Sequence, residues 1–150
     1  MADLAELPVQ PSEYEVEEWC DATVAVDRDP LYRGKIDFKK MLKVHEVSSF
    51  GRVRTTVKKT GAVKVWRGHH TGRRRGVLFM TGYEPKPFAA IGVHRLVLCA
   101  FGSSPPNMDD KLECDHHNRI PDDNRISNLR WVSRSENMRN TAQSMYPGGF

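Results

Sequence analysis

A chain of 150 residues has the length of one domain, or of a small catalytic unit with an appendage. With 39% hydrophobic and 28% charged residues, it suits a modest core under a charged surface, and no apolar run reaches the roughly 18 to 20 residues that span a bilayer. The start, MADLAELPVQ, lacks the basic and apolar regions of a signal peptide. Three widely spaced cysteines, Cys20, Cys99 and Cys114, argue for reduced thiols in an intracellular protein, and against secretion or a disulfide scaffold.

The net charge of +4 is unevenly spread. Residues 1–21 hold seven acidic side chains and no Lys or Arg, so the remaining residues carry +11. A basic body of this kind is the electrostatic footprint expected for a polyanion partner. The acidic segment, 1–19, reads as a flexible leader with Pro8 and Pro11, and one expectation is that residues 1–21 shield the basic face until a polyanion displaces them.

In chain order, residues 21–34 mix a short β-branched run with the Asp29-Pro30 turn signal and end in Gly34. Residues 35–45 fit either a short helix or an irregular basic segment. Gly51 suits the positive φ of a tight turn. After it Val53, Thr55 and Val57 alternate with Arg52, Arg54 and Lys58, the pattern of a half-buried strand with a basic face. Turn signals at Thr60-Gly61 and His70-Thr71-Gly72 bracket a strand at 62–66, expected to form a hairpin with 76–83 that carries Arg73, Arg74 and Arg75 near its turn. Such a hairpin can reach phosphates. His69 and His70 have no spaced ligand partner. Residues 93–101, VHRLVLCAF, place apolar side chains at helical spacing, with Gly102 and Pro105 as stop signals. His94 at its start reads as a histidine that caps or packs.

Residues 112–140 carry the densest chemistry. A strand at 112–117 is followed by a polar loop at 118–127, a second strand from Asn128 to Val132, and a helix started by Ser133 with Glu136 as a capping box. That order is ββα, and it places Asn137 in the first helical turn. Counting from His116, Asn124 lies 8 residues on, Asn128 12 and Asn137 21. With Asp115 directly before the histidine, these residues resemble the HNH nuclease motif, the ββα-metal or His-Me finger. Residues 17–19 and 47–54 are similar to the small module that often precedes HNH domains in homing nucleases, here split by an insertion at about 20–45. The segment HRLV…AF at 94–101 is similar to what precedes the motif in the same family.

The resemblance implies an α+β fold: a small acidic leader (1–19), a β-rich basic DNA-binding region (20–92) and an HNH unit with a short tail (93–150). It implies a metal-dependent DNA endonuclease with His116 as general base, Asn128 and Asn124 holding the loop and the histidine, and Asp115 and Asn137 holding one divalent ion. That incomplete oxygen set favours Mg²⁺, with Mn²⁺ as substitute. The products would be 5′-phosphate and 3′-hydroxyl ends. Strand alternation alone puts His117 on the face of Asp115, while the motif order selects His116. A zinc site of Cys99, Cys114, His116 and His117 matches no paired-ligand spacing. Double-stranded DNA would meet Arg52, Arg54, Lys58, Lys59, Arg67, Arg73, Arg74 and Arg75. A monomer would nick, and a homodimer would cut both strands. The rival readings are a silent DNA-binding protein on the same fold and a restriction-type or colicin-like nuclease.

Overall fold

The computed structural model describes residues 16–71, 74–81, 88–102 and 112–145, and the side chains of 71–75, 77–89 and 140–145 lie outside that description. Among the described residues, three antiparallel sheets surround one central helix. The first has four strands in the order β1 (Trp19–Asp21), β2 (Lys43–Ser48), β3 (Val53–Val57) and β4 (Val63–Trp66). The second contains β5 (His69–Thr71), β6 (Arg74–Thr81) and β7 (Phe88–Gly92), and the third is the pair β8 (Glu113–His116) and β9 (Leu129–Val132). Helix α1 spans Ala22–Asp27, α2 Val93–Phe101 and α3 Arg134–Met145.

The strand expected at 53–57 is present, with Val53 and Thr55 buried and Arg54 turned outward. The turn before it is closed by Gly51 at φ 86° and by the Ser48 hydroxyl, which accepts from the Phe50 and Arg52 amides. Trp19, at the end of the segment expected to be a leader, is already in β1 opposite Ser48. Residues 1–15 of that leader lie outside the described residues.

One open segment is settled and one expectation is corrected. The β-branched run after Asp21 forms α1, because Asp21 caps it through the Thr23 amide at 2.8 Å and because Ala22, Ala25 and Val26 bury one helical face. Burial outweighs the weak strand preference of Thr and Val. The segments 62–66 and 76–83 are not hairpin partners: β4 pairs with β3, and β6 pairs with β5 and β7. Local turn signals mark where strands end, not which strand lies next to them.

Helix α2 occupies the expected span. Its core side chains Val93, Leu96, Val97 and Cys99 pack in the same cluster as Ala25 and Val26 of α1, Val47 and Val53 of the first sheet, Ile91 of β7, and Cys114 and Leu129 of the β8–β9 pair. Gly102 ends the helix at φ −94°, so positive φ is not its role. A Cβ there would lie 2.7 Å from Leu98 Cδ1 and 2.8 Å from the Leu98 carbonyl oxygen. The segment 20–45 is tied to α2 by charge: Asp29, 1% exposed, takes the Arg95 guanidinium at 2.5 and 2.8 Å, and Arg28 donates to the Cys99 and Ala100 carbonyls. Arg95 also donates to the Leu112 carbonyl and lies 5.0 Å over the Trp131 ring.

All three cysteines are free. Burial raises the Cys99 thiol to about 12 and drives Cys114 higher still, so both are neutral packing groups. Among the described residues no helix is long and apolar enough to cross a membrane.

Candidate active site

Strand, loop, strand and helix follow one another at 113–145 as the local signals require. β8 and β9 pair in register from Glu113 opposite Val132 to His116 opposite Leu129. The strand stops at His116, one residue short of the expectation. The Arg119 amide there donates to the His116 carbonyl at 2.9 Å and Arg119 takes φ 62°, the left-handed region. Asn128 closes a 3-10 turn before β9 rather than opening that strand.

The loop between the strands is held mainly by Asn128, which is buried. Its Oδ1 accepts from the Asn118 amide at 2.9 Å, and its Nδ2 donates to Asn118 Oδ1 at 2.9 Å and to the Asp123 carbonyl at 2.8 Å. Its own carbonyl accepts from the His117 amide. Asp123 is clamped by Arg125, whose guanidinium holds that carboxyl below its ordinary range.

His116 is half-buried and lines a groove of about 440 Å³, together with His94, Arg95, Glu113, Pro121 and Asn137. Its Nε2 meets Asn124 Oδ1 at 2.6 Å. An amide oxygen only accepts, so Nε2 carries the hydrogen and Nδ1 keeps the lone pair that can take a proton. The ring stacks on His94 with centroids 5.2 Å apart and 13° between planes. His94 itself lies against Gly92, where a Cβ would meet its ring at 2.3 and 2.4 Å. Burial, then the neighbouring His116 and Arg95, lowers His94 to about 3, so it is a neutral wall. His94 packs rather than caps; its stacking on His116 had no signal in the sequence. His117 is exposed beyond the strand end.

Of the expected oxygen ligands, Asn137 lines the same groove as His116, and Asp115 is buried in β8. Asp115, 6% exposed, receives Arg130 Nε at 3.1 Å. Asn137 Nδ2 donates to Glu113 Oε2 at 2.5 Å, so helix α3 delivers Asn137 to the same strand. Ser133 Oγ accepts the Glu136 amide at 3.2 Å, and the Glu136 carboxylate takes the Ser133 hydroxyl rather than its amide. Glu113, two residues before Asp115 on one face of the strand, was not singled out by the sequence. Carboxylate and amide oxygens such as those of Glu113, Asp115 and Asn137 are hard donors of the kind that suits Mg²⁺, with Asn137 in contact with Glu113 and Asp115 in contact with Arg130. Among the described residues no group of three or more His, Cys, Asp or Glu is placed to hold a metal ion, and Cys99, Cys114, His116 and His117 do not form a zinc site.

Arg52 is bidentate to Glu17, and Arg54 is bidentate to Glu46 at 2.7 and 2.8 Å while lying 4.3 Å over Trp19. These guanidiniums hold both carboxyls below their ordinary range. Lys58 donates to the Phe38 carbonyl; Lys59 and Arg67 are exposed. Arg73 and the side chains of Arg74 and Arg75 lie outside the described residues. His70 joins the second sheet to the loop through Asp122 at 3.7 Å.

Residues 92–139 match the family model of HNH endonucleases. A solved structure of DNA binding and cleavage by the HNH homing endonuclease I-HmuI is 25% identical, with a TM-score of 0.49; it covers 89% of this chain and 60% of that one. The chain thus spans about three fifths of that relative's length. No curated protein matches it.

Proposed function

We propose that the chain is a DNA endonuclease of the HNH homing type that hydrolyses phosphodiester bonds with His116 as general base and one divalent ion, Mg²⁺ or Mn²⁺. The observation that carries this reading is the His116–Asn124 bond at 2.6 Å. It leaves Nδ1 as the proton acceptor on a ring that lines an open groove beside Glu113 and Asn137.

Hydrolysis requires a proton removed from the attacking water, and a neutral imidazole is suited to this near pH 7. Asn124 holds the ring tautomer, His94 stacks against the ring, and Asn128 keeps the loop closed. Asp115 and Asn137 would hold the ion, which when bound supplies charge for the phosphate and the departing 3′-oxygen. Arg130, which neutralises Asp115, is half-exposed and free of the core, so it can yield that carboxylate. The products on this reading are 5′-phosphate and 3′-hydroxyl ends. Double-stranded DNA would be bound by the exposed Lys59 and Arg67 and by Arg52 and Arg54, with Lys58 beside them; Arg73, Arg74 and Arg75 extend the same proposal.

The test is cleavage of supercoiled plasmid with Mg²⁺, with and without EDTA, beside His116→Ala. Metal-dependent cutting that the substitution abolishes is expected. Open circles would mean a monomer that nicks, and linear product a homodimer. DNA bound but uncut in both Mg²⁺ and Mn²⁺ would overturn the reading in favour of a silent DNA-binding fold.

A further inference from the structure

We propose that the turn at 48–52, between β2 and β3, is a positioning element for His116 and acts through Gly51; this rests on His116 being the base of the reaction above. The turn belongs to the N-terminal sheet, nowhere near the HNH stretch in sequence. In the structure it lies against the loop between β8 and β9.

The contact is made of backbone. A Cβ on Gly51 would lie 2.6 Å from Asn124 Cβ, 2.7 Å from its carbonyl carbon and 2.8 Å from its carbonyl oxygen. No flexible side-chain end is there to swing away, so any residue but glycine displaces the Asn124 backbone. Two residues earlier in the turn, the Ser49 carbonyl accepts the Ile126 amide at 2.9 Å, which fixes the loop beyond Asn124. Gly76 of β6 closes the opposite flank: its Cβ would stand 3.1 Å from Asn124 Nδ2. Asn124 is 5% exposed, its backbone set by one sheet and its amide confined by another. The oxygen of that amide is what His116 Nε2 meets. A shift of a few tenths of an ångström at Gly51 is therefore passed to the imidazole through a single side chain.

The turn also faces solvent on its other side. Arg52, next in the chain after Gly51, is exposed and paired with Glu17. The surface available to a DNA backbone and the contact that sets the base are thus adjacent residues of one turn.

Gly51→Ala is compared with Gly61→Ala. Both positions have positive φ, 86° and 73°, so both substitutions meet the same backbone strain, but nothing lies within 4 Å of a Cβ at Gly61. Three quantities are read: the single-turnover cleavage rate, the Kd for duplex DNA, and the tautomer of His116 from its imidazole ¹⁵N resonances. Gly51→Ala should lose roughly 10- to 100-fold in rate with Kd unchanged within about twofold, and His116 should lose its single Nε2–H tautomer. Gly61→Ala should match the parent in all three. If Gly51→Ala does not fold, Gly76→Ala, whose Cβ at φ 65° would stand 3.1 Å from the Asn124 amide nitrogen and 3.4 Å from the Arg67 carbonyl oxygen, should shift rate and tautomer the same way by less. The proposal is overturned if the folded variant keeps the parental rate and tautomer, or if Gly61→Ala loses as much. Should the parent cut no DNA, the endonuclease reading fails alone, and the tautomer comparison still decides whether the turn orients His116.

Discussion

His116 has a defined proton inventory because a neighbour that can only accept faces one of its two ring nitrogens. Replacing that neighbour, Asn124→Ala, leaves the ring free to turn and should lower the single-turnover rate about 100-fold with DNA affinity retained; an unchanged rate would remove Asn124 from the mechanism. His94 makes a different prediction. It is pushed down to about 3 in the fold from about 6.5 in the unfolded chain, so the unfolded state takes up a proton that the folded state refuses. Stability is complete above about pH 6.5 and falls as the pH drops towards 3, by about 1.4 kcal/mol per unit from this group. His45, lowered by burial and then by Lys43 and His69, adds to the loss. Urea denaturation between pH 7 and 5 should show this slope, and His94→Leu should flatten it; an equally steep variant would place the proton elsewhere. The motif spacing already set His116 beside Asn124, and the structure joins them at 2.6 Å. The stacking of His94 was not legible there, because two rings 22 residues apart in sequence meet only when α2 packs on β8.

At the scale of elements, local signals were sufficient wherever the element is closed by its own residues. Helix α2 began and ended where apolar spacing and Gly102 placed it, and α3 starts at the Ser133 box. Ser133→Ala should cost about 1 kcal/mol of stability. By loosening the first turn, which carries Asn137, it should also weaken Mn²⁺ binding measured by calorimetry. A loss of stability with no change in metal affinity would uncouple the cap from the proposed ligand. The run at 22–27 becomes a helix and the expected hairpin of 62–66 with 76–83 does not form, because both outcomes depend on which surface the segment buries. The identity of that surface lies in distant residues.

Among the described residues, a shared core, the Asp29–Arg95 ion pair and the Arg28 bonds to the Cys99 and Ala100 carbonyls join the segment 20–45 to residues 92–139. The pair Asp29–Arg95 is mostly buried and bidentate. Removing one partner leaves an uncompensated charge, so Asp29→Ala should destabilise by about 3–5 kcal/mol, read by chemical denaturation; a loss below about 1 kcal/mol, the range of exposed pairs, would show that the charge finds water. The acidic N-terminal residues meet the basic face through Glu17 on Arg52. Glu17→Gln should raise affinity for duplex DNA and steepen its salt dependence by about one counterion. An unchanged slope would rule out that Glu17 competes with phosphate for this guanidinium. The order strand–loop–strand–helix, the offsets of three asparagines from one histidine and the uneven charge were all properties of the sequence itself, since they depend on neighbours within about 25 residues. Tertiary structure alone decided that Gly51 and Gly76 enclose Asn124, that His94 backs His116, and that Asp29 holds Arg95. Each is a contact between segments that no local preference brings together, made only when burial of the common core places three sheets around α2.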